Sequence, residues 1–225
     1  VILQTAGKVG GIIRNKKEKF ELLNDNIIVS SNIISASNEV LKDIKFLNFP
    51  SSCIYPNNKK RRITEEDFKF KNIEESSANY ALAKIVSYEM CNALFFQNKQ
   101  YINVIPSNLY GPFDNFNPDE SHVIPGLIYK MLNTYDDLYL PGSGLAKRDF
   151  LYIEDFIGAV KKIIDAKKVN FPSLNISSNE IITIKKLVDK IKKHTNYKNN
   201  IYFKKDGLDG TLYKCLSSKR IRKVY

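Results

Sequence analysis

The 225-residue chain has no apolar run approaching the roughly 20 residues that cross a bilayer. Its opening, VILQTAGKVGG, carries neither a basic n-region nor a cleavage motif, so it is not expected to act as a secretory signal. Cysteine is scarce: Cys53, Cys91 and Cys215 form an odd, widely spaced set without a CxxC pair. That argues against a disulfide framework and against a zinc site, and predicts a reducing, cytoplasmic setting. Histidine is scarcer still, with only His122 and His194. Internal repeats, low-complexity linkers, zinc-finger spacings and RNP-like aromatic motifs are all missing. Also missing is a Gly-x-Gly-x-x-Gly or Gly-x-x-Gly-x-x-Gly turn, which a dinucleotide-binding fold places after its first strand.

Acidic residues are few at one end. From Glu180 onward there are 13 Lys and Arg against 4 Asp and Glu, whereas the first 179 residues carry 22 against 20. The net charge of +11 is therefore a C-terminal property. Within that stretch Ile184, Leu187, Val188 and Ile191 recur at helical spacing with lysines opposite, the pattern of a solvated amphipathic helix first and a phosphate-binding face second.

What is present is an alternation of short β-branched runs with longer helical patterns, which predicts an α/β fold with a parallel sheet. VILQT reads as a buried strand followed by a turn at Gly10 and Gly11, then a helix over 20–40. A strand at 44–49 runs into PSSCIYP, a second long helix spans about 79–97, and YINVIP makes the next strand. After SNLYGP the elements shorten, which places a domain boundary near Pro106–Pro112.

Several residues could carry chemistry. Tyr80 and Lys84 stand at i, i+4 in a helical run, on one face about one turn apart. A nearby ammonium favours the phenolate and lowers a phenol from its usual pKa of about 10, making it an acid/base group. The same spacing also describes an ordinary helix surface. A second Tyr-x-x-x-Lys, Tyr55 to Lys59, is followed by Pro56 and two asparagines and is not expected to be helical. Ser51 and Cys53 lie at the C-terminal end of a strand, where open α/β sheets bind ligands, and Pro106–Pro112 ends another strand at the same edge. Cys53 reads either as a proton donor or acceptor, or as a small buried apolar residue. His122 reads either as a capping or loop residue, or as an acid/base group titrating near neutrality. His194, in a lysine-rich run, reads as surface.

Together SSCIYP, YALAK, PSNLYGPFDNF, SHVIP and RDFLYIED resemble the extended short-chain dehydrogenase/reductase family, over almost the whole chain from GKVGGIIRN to DGTLYK. The combination of SSCIYP with SHVIP resembles its epimerase/reductase branch rather than the related 4-epimerases and 4,6-dehydratases. The resemblance implies a Rossmann-type parallel sheet over residues 1–110 that binds NADPH, and a smaller C-terminal α/β substrate domain over 111–225 with some elements returning to the first. It implies 3,5-epimerisation and 4-reduction of a GDP-sugar, GDP-4-keto-6-deoxy-D-mannose, to GDP-L-fucose. Cys53 and His122 match the family's proton-exchanging pair, Tyr80 the proton donor to the C4 oxygen, and Ser51 the group that orients the carbonyl. Lys84 matches the residue that holds the nicotinamide ribose. Phe49, Pro50, Ser51 and Ser52, with Pro106, Ser107, Asn108, Leu109 and His122, match segments beside the cofactor. Lys130, Arg148 and Lys214 match substrate-binding positions. The resemblance also implies a homodimer with no nucleic-acid, membrane or metal partner.

Some positions depart from the family pattern. Lys130 stands where an arginine is expected, keeping the charge without the bidentate fork. Pro141 replaces a tryptophan, removing an expected aromatic wall, and Leu212 and Tyr213 replace Pro and Arg. All of these bear on substrate binding, so the reaction type is better supported than the nucleotide. The pattern further implies two βα units, about 60 residues, before Val1 and a short tail after Tyr225, which makes the chain an expected fragment. Two other readings stay open: a different nucleotide-sugar epimerase or dehydratase, and a non-catalytic protein binding polyanions through its basic end.

Overall fold

The structure, a computed structural model, describes residues 1–57, 61–69, 73–118, 120–204 and 211–224. It opens with β1 (Ile2–Gln4), the short helix α1 (Ile12–Lys17), the long helix α2 (Lys19–Val40) and β2 (Lys45–Asn48). After a loop with three 3-10 turns come α3 (Ala78–Phe96), β3 (Gln100–Pro106) and β4 (Asn108–Tyr110). The chain continues with α4 (Val123–Asn133), β5 (Leu138–Pro141), β6 (Lys147–Arg148), β7 (Phe150–Tyr152) and α5 (Ile153–Asp165). It ends with β8 (Ser173–Ile176), β9 (Ile182–Thr183), α6 (Ile184–Thr195), β10 (Ile201–Lys204) and β11 (Tyr213–Lys214).

The main sheet runs β1-β2-β3-β8, parallel throughout. Alternation along β3 decides which helices cover it. Ile102 and Val104 face α5, packing with Leu47, Leu174, Phe156, Val160 and Ile163. Tyr101 and Ile105 face the other way, toward α2 and α3, where Tyr101 stacks on Phe46 and shares a 3.0 Å hydrogen bond with Ser37. Both faces are thus buried, which is why these strands read as near-continuous apolar runs. Among them sits a satisfied polar pair: Asn48 Nδ2 donates to Asn103 Oδ1 at 2.8 Å, and Asn103 Nδ2 donates to the Tyr88 carbonyl at 3.0 Å.

A second core forms where α4, β5 and α6 meet, from Leu127, Met131, Leu138, Leu140, Leu187, Val188 and Ile191. The lysine-bearing face of α6 is in solvent, with Lys185, Lys186 and Lys190 exposed, as the amphipathic pattern predicts. His194 is exposed there too. β8 returns to the main sheet beside β3, and Leu216 bridges back to Ile63, so segments beyond Pro112 complete the first core. No helix among the described residues is long and apolar enough to cross a membrane.

Two expectations need correction. VILQT is not buried along its length: β1 pairs with β2 among the described residues, and Gln4 is buried while Val1 is 64% and Leu3 45% exposed. An apolar run identifies a strand but not which of its residues the neighbouring elements cover. Secondly, the stretch after Gly11 is not simply a turn into the long helix. Gly11 takes the extended N-cap conformation of α1 before α2 begins.

Candidate active site

The strand ends converge on a cavity of about 790 Å³. β1 contributes Leu3 and its following loop Thr5, Gly7 and Val9. The end of β2 brings Phe49, Pro50, Ser51 and Ser52; the end of β3 brings Pro106, Ser107, Asn108 and Leu109. Tyr80 and Lys84 reach it from α3, and His122 borders it from the start of α4. Every residue assigned to the cofactor side by resemblance therefore lines one cavity.

Each side chain has a local reason for its place. After β2 the chain closes a 3-10 turn, Ser52–Ile54, whose N-cap is Ser51. The Ser51 hydroxyl oxygen accepts from the Cys53 amide at 3.3 Å, which leaves its own proton free to donate. Tyr80 and Lys84 lie in the first two turns of α3, with the Lys84 ammonium 5.6 Å from the Tyr80 ring centre. Lys84 is buried, and a Cβ on Gly7 would lie 3.1 Å from its Nζ and 2.8 Å from Asn26 Oδ1. A side chain at Gly7 would require Asn26 or Lys84 to shift. Asn26 pins that loop: its Oδ1 accepts from the Lys8 amide at 3.0 Å and its Nδ2 donates to the Lys8 carbonyl at 2.9 Å.

His122 occupies the N-cap position of α4, yet its side chain makes no capping bond and is exposed. The capping reading is thereby set aside. Pro125, in the first turn, starts the helix at a point where no amide donor is needed. Cys53 differs: it is 5% exposed and lines neither cavity, in the 3-10 turn that follows Ser51. Burial pushes its thiol up, while the Lys214 and Lys84 ammonium groups pull it down.

The electrostatics correct one expectation. Lys84 does not bring the Tyr80 phenol toward neutrality in this pocket. Burial pushes the phenol well above its ordinary value, and burial also holds Lys84 below its own. The shift of the Tyr80 phenol is set by burial first and by the Cys53 thiol second. The alternative pair is absent as a helix. Tyr55 is buried and donates to Asn175 Oδ1 at 2.7 Å, outside any helix, and Lys59 lies outside the described residues.

A smaller cavity of about 370 Å³ adjoins the first. His122 and Val123 line both. One set of lining groups is basic, Lys130 in the last turn of α4 and Arg148 on β6, and the other is apolar, with Leu140, Pro141, Ile184 and Phe203. Lys214 lines neither; it pairs with Glu74 at 3.8 Å and acts electrostatically on Cys53. Pro141 lines this cavity where an aromatic residue was expected, and one aromatic side chain reaches it from another strand. Phe203, paired with Leu140 across β5 and β10, borders the cavity beside Gly144. Gly144 has φ +72, and a Cβ there would stand 2.8 Å from the Phe203 ring.

Comparison with known proteins places this geometry. Residues 1–177 match the model of the NAD dependent epimerase/dehydratase family. The chain belongs to that family. Within the NAD dependent epimerase/dehydratase family it is similar to GDP-L-fucose synthase of Escherichia coli, 33% identical over 97% of this chain and 72% of that protein. GDP-L-fucose synthase of Sinorhizobium fredii is 34% identical over 98% of this chain and 71% of its own length. Among solved structures, a GDP-L-fucose synthetase from Naegleria fowleri bound to NADP superposes with a TM-score of 0.85 at 25% identity, covering 100% of this chain and 70% of that one. An NAD-dependent family requires a dinucleotide pocket. The larger cavity fits its nicotinamide end by size, by the close approach of Gly7, and by the buried Lys84 beside Tyr80.

Two contributors escaped sequence reasoning, Asn26 and Phe203. Asn26 carried a faint signal as a polar residue on the buried stripe of α2, four residues after Leu22. Phe203 carried none, because its place depends on β10 pairing with a strand some 60 residues away.

Proposed function

We propose that this chain is an NADPH-dependent 3,5-epimerase and 4-reductase converting GDP-4-keto-6-deoxy-D-mannose to GDP-L-fucose. One observation carries the reading: Ser51, Tyr80 and Lys84 line a cavity whose border at His122 is also the border of a second, basic-and-apolar cavity. That second cavity suits a nucleoside diphosphate, with Lys130 and Arg148 facing the phosphates and Phe203 beside the base.

The residues then divide the work. A C4 ketone acidifies the hydrogens on C3 and C5, so modest acid/base groups suffice to invert both centres. Cys53, next to the cavity-lining Ser52, and His122, which lines the cavity, exchange those protons. The Ser51 hydroxyl donates to the carbonyl oxygen and fixes its orientation. Lys84 holds the nicotinamide ribose, with Phe49, Pro50, Ser52 and the Pro106–Leu109 segment packing beside the ring. NADPH, when bound, supplies the reducing equivalent for C4. Tyr80 protonates the resulting C4 oxygen; a phenol held protonated by burial starts in the form this step needs. Lys214 acts from outside the cavities by favouring the Cys53 thiolate.

The same reading takes the protein as a cytoplasmic homodimer. The homodimer part is supported by the exposed apolar side chains on α2 and α3, among them Phe20, Ile28, Leu82 and Phe96.

The test mixes the full-length protein with NADPH and GDP-4-keto-6-deoxy-D-mannose, following NADPH oxidation and identifying the product by chromatography. Formation of GDP-L-fucose is expected, with Cys53→Ser and His122→Asn each blocking epimerisation. Oxidation without inversion at C3 and C5 would sink the epimerase assignment. A protein that binds NADPH without turning over this sugar would point to another nucleotide sugar.

A further inference from the structure

One buried carboxylate remains outside the chemistry above. Asp149 is 1% exposed, between Arg148, which lines the smaller cavity, and Phe150, which lines the larger. Its main-chain carbonyl accepts from Asn108 Nδ2 at 2.8 Å and from the Asn108 amide at 3.4 Å, and Asn108 lines the larger cavity. Its Oδ2 accepts from the Leu216 amide at 3.0 Å and from the Ser177 hydroxyl. Ser177 is itself tied to Ser218, donating to Ser218 Oγ at 2.7 Å through its amide and accepting from it at 3.0 Å through its carbonyl. The other carboxylate oxygen, Oδ1, is buried with no hydrogen-bond partner among the described residues.

Four chain segments therefore meet on a single residue: the end of β4's approach at Asn108, the β6–β7 junction, the loop after β8 and the stretch after β11. An apolar residue would fill this volume without the cost of desolvating a carboxylate, but it could not accept from Ser177 and Leu216. Burial pushes the carboxyl up, while the two donors and the Arg62 guanidinium pull it back. Loss of those bonds would leave buried donors unpaired, so the junction has one tight arrangement.

We propose that Asp149 is a positioning residue shared by the two cavities, holding cofactor-side Asn108 and phosphate-side Arg148 in one rigid unit. It touches neither ligand and acts through those two neighbours. The inference rests on reading the cavities as NADPH and nucleoside diphosphate sites, but not on which sugar is attached.

The experiment measures two affinities on the full-length protein, NADPH by fluorescence titration and GDP by calorimetry, alongside the melting temperature. Asp149→Asn keeps an oxygen for Ser177 and Leu216 but loses the charge; Ser177→Ala removes one donor and leaves Asp149 in place. Both affinities are expected to weaken together, by about tenfold in Asp149→Asn and less in Ser177→Ala, as befits loss of charge-assisted bonds. A lower melting temperature with both affinities unmoved would make Asp149 merely structural and overturn the inference. So would weakening at one cavity alone. Wild-type protein that binds neither NADPH nor GDP would instead overturn the reading of the cavities, and this inference with it.

Discussion

Tyr80 and Lys84 show how spacing and environment pull apart at a single residue. The i, i+4 spacing correctly puts both on one wall, but the direction of the phenol's shift follows from burial, which no local string reports. Tyr80→Phe removes the proposed proton donor and nothing else of size. NADPH oxidation should fall by about a hundredfold or more, the usual worth of a positioned acid. Exchange of the C3 and C5 hydrogens in deuterated water should persist, because the proposed exchanging pair, Cys53 and His122, remains; loss of that exchange would refute the proposed division of labour. The buried thiols make a second prediction. Cys53 and Cys91 are pushed up by burial, and Cys215 is pushed up to about 11, by burial first and then by the Asp149 charge. An unfolded thiol releases its proton near pH 8.5, so above that value the unfolded chain holds fewer protons than the folded one. The thiols' stabilising contribution is complete below that pH and is lost as pH rises toward the folded value. Urea midpoints of Cys215→Ala across this alkaline window should decline less steeply than wild type; parallel declines would refute it. Ser51 and His122 were legible because one follows a strand end and the other opens a helix, and Lys84 because it stands one turn from Tyr80 in the same helix. Asn26 and Phe203 were not, since their partners come from 18 and some 60 residues away.

Elements were legible where periodicity was long. The helices expected at 20–40 and 79–97 are Lys19–Val40 and Ala78–Phe96, and the strands around 44–49 and 101–106 stand within a residue or two of their places. What the pattern could not supply was neighbourhood: β1 looked buried from its composition, yet Leu3 is 45% exposed and the polar Gln4 is the buried residue. Helix ends depend on distant partners too. The last turn of α5 is closed by Lys45, whose ammonium donates to the carbonyls of Ile163 at 3.0 Å, Ile164 at 2.9 Å and Ala166. An ammonium at a helix C-terminus satisfies orphan carbonyls and opposes the negative end of the dipole. Lys45→Met keeps the aliphatic stem and removes the cap, so chemical denaturation should show a loss of about 1–2 kcal/mol. An unchanged midpoint would mean that water replaces the ammonium without cost.

At the scale of the whole molecule, α2 and α3 pack on one face of the sheet and leave large apolar side chains in solvent. Exposed apolar side chains on two adjacent helices suit self-association by helix packing. Replacing Leu82 and Phe96 together with Asp should shift the full-length protein to the monomer mass in light scattering; a monomeric wild type would end the homodimer reading. The two cavities carry a consequence of their own. His122 and Val123 form a wall common to both, so a molecule seated on one side presses on the same ring and methyl groups that border the other. Free energy exchanged across such a wall is reciprocal. Whatever factor the occupant of the basic cavity applies to the affinity of its neighbour, that neighbour returns unchanged, whichever of the two arrives first.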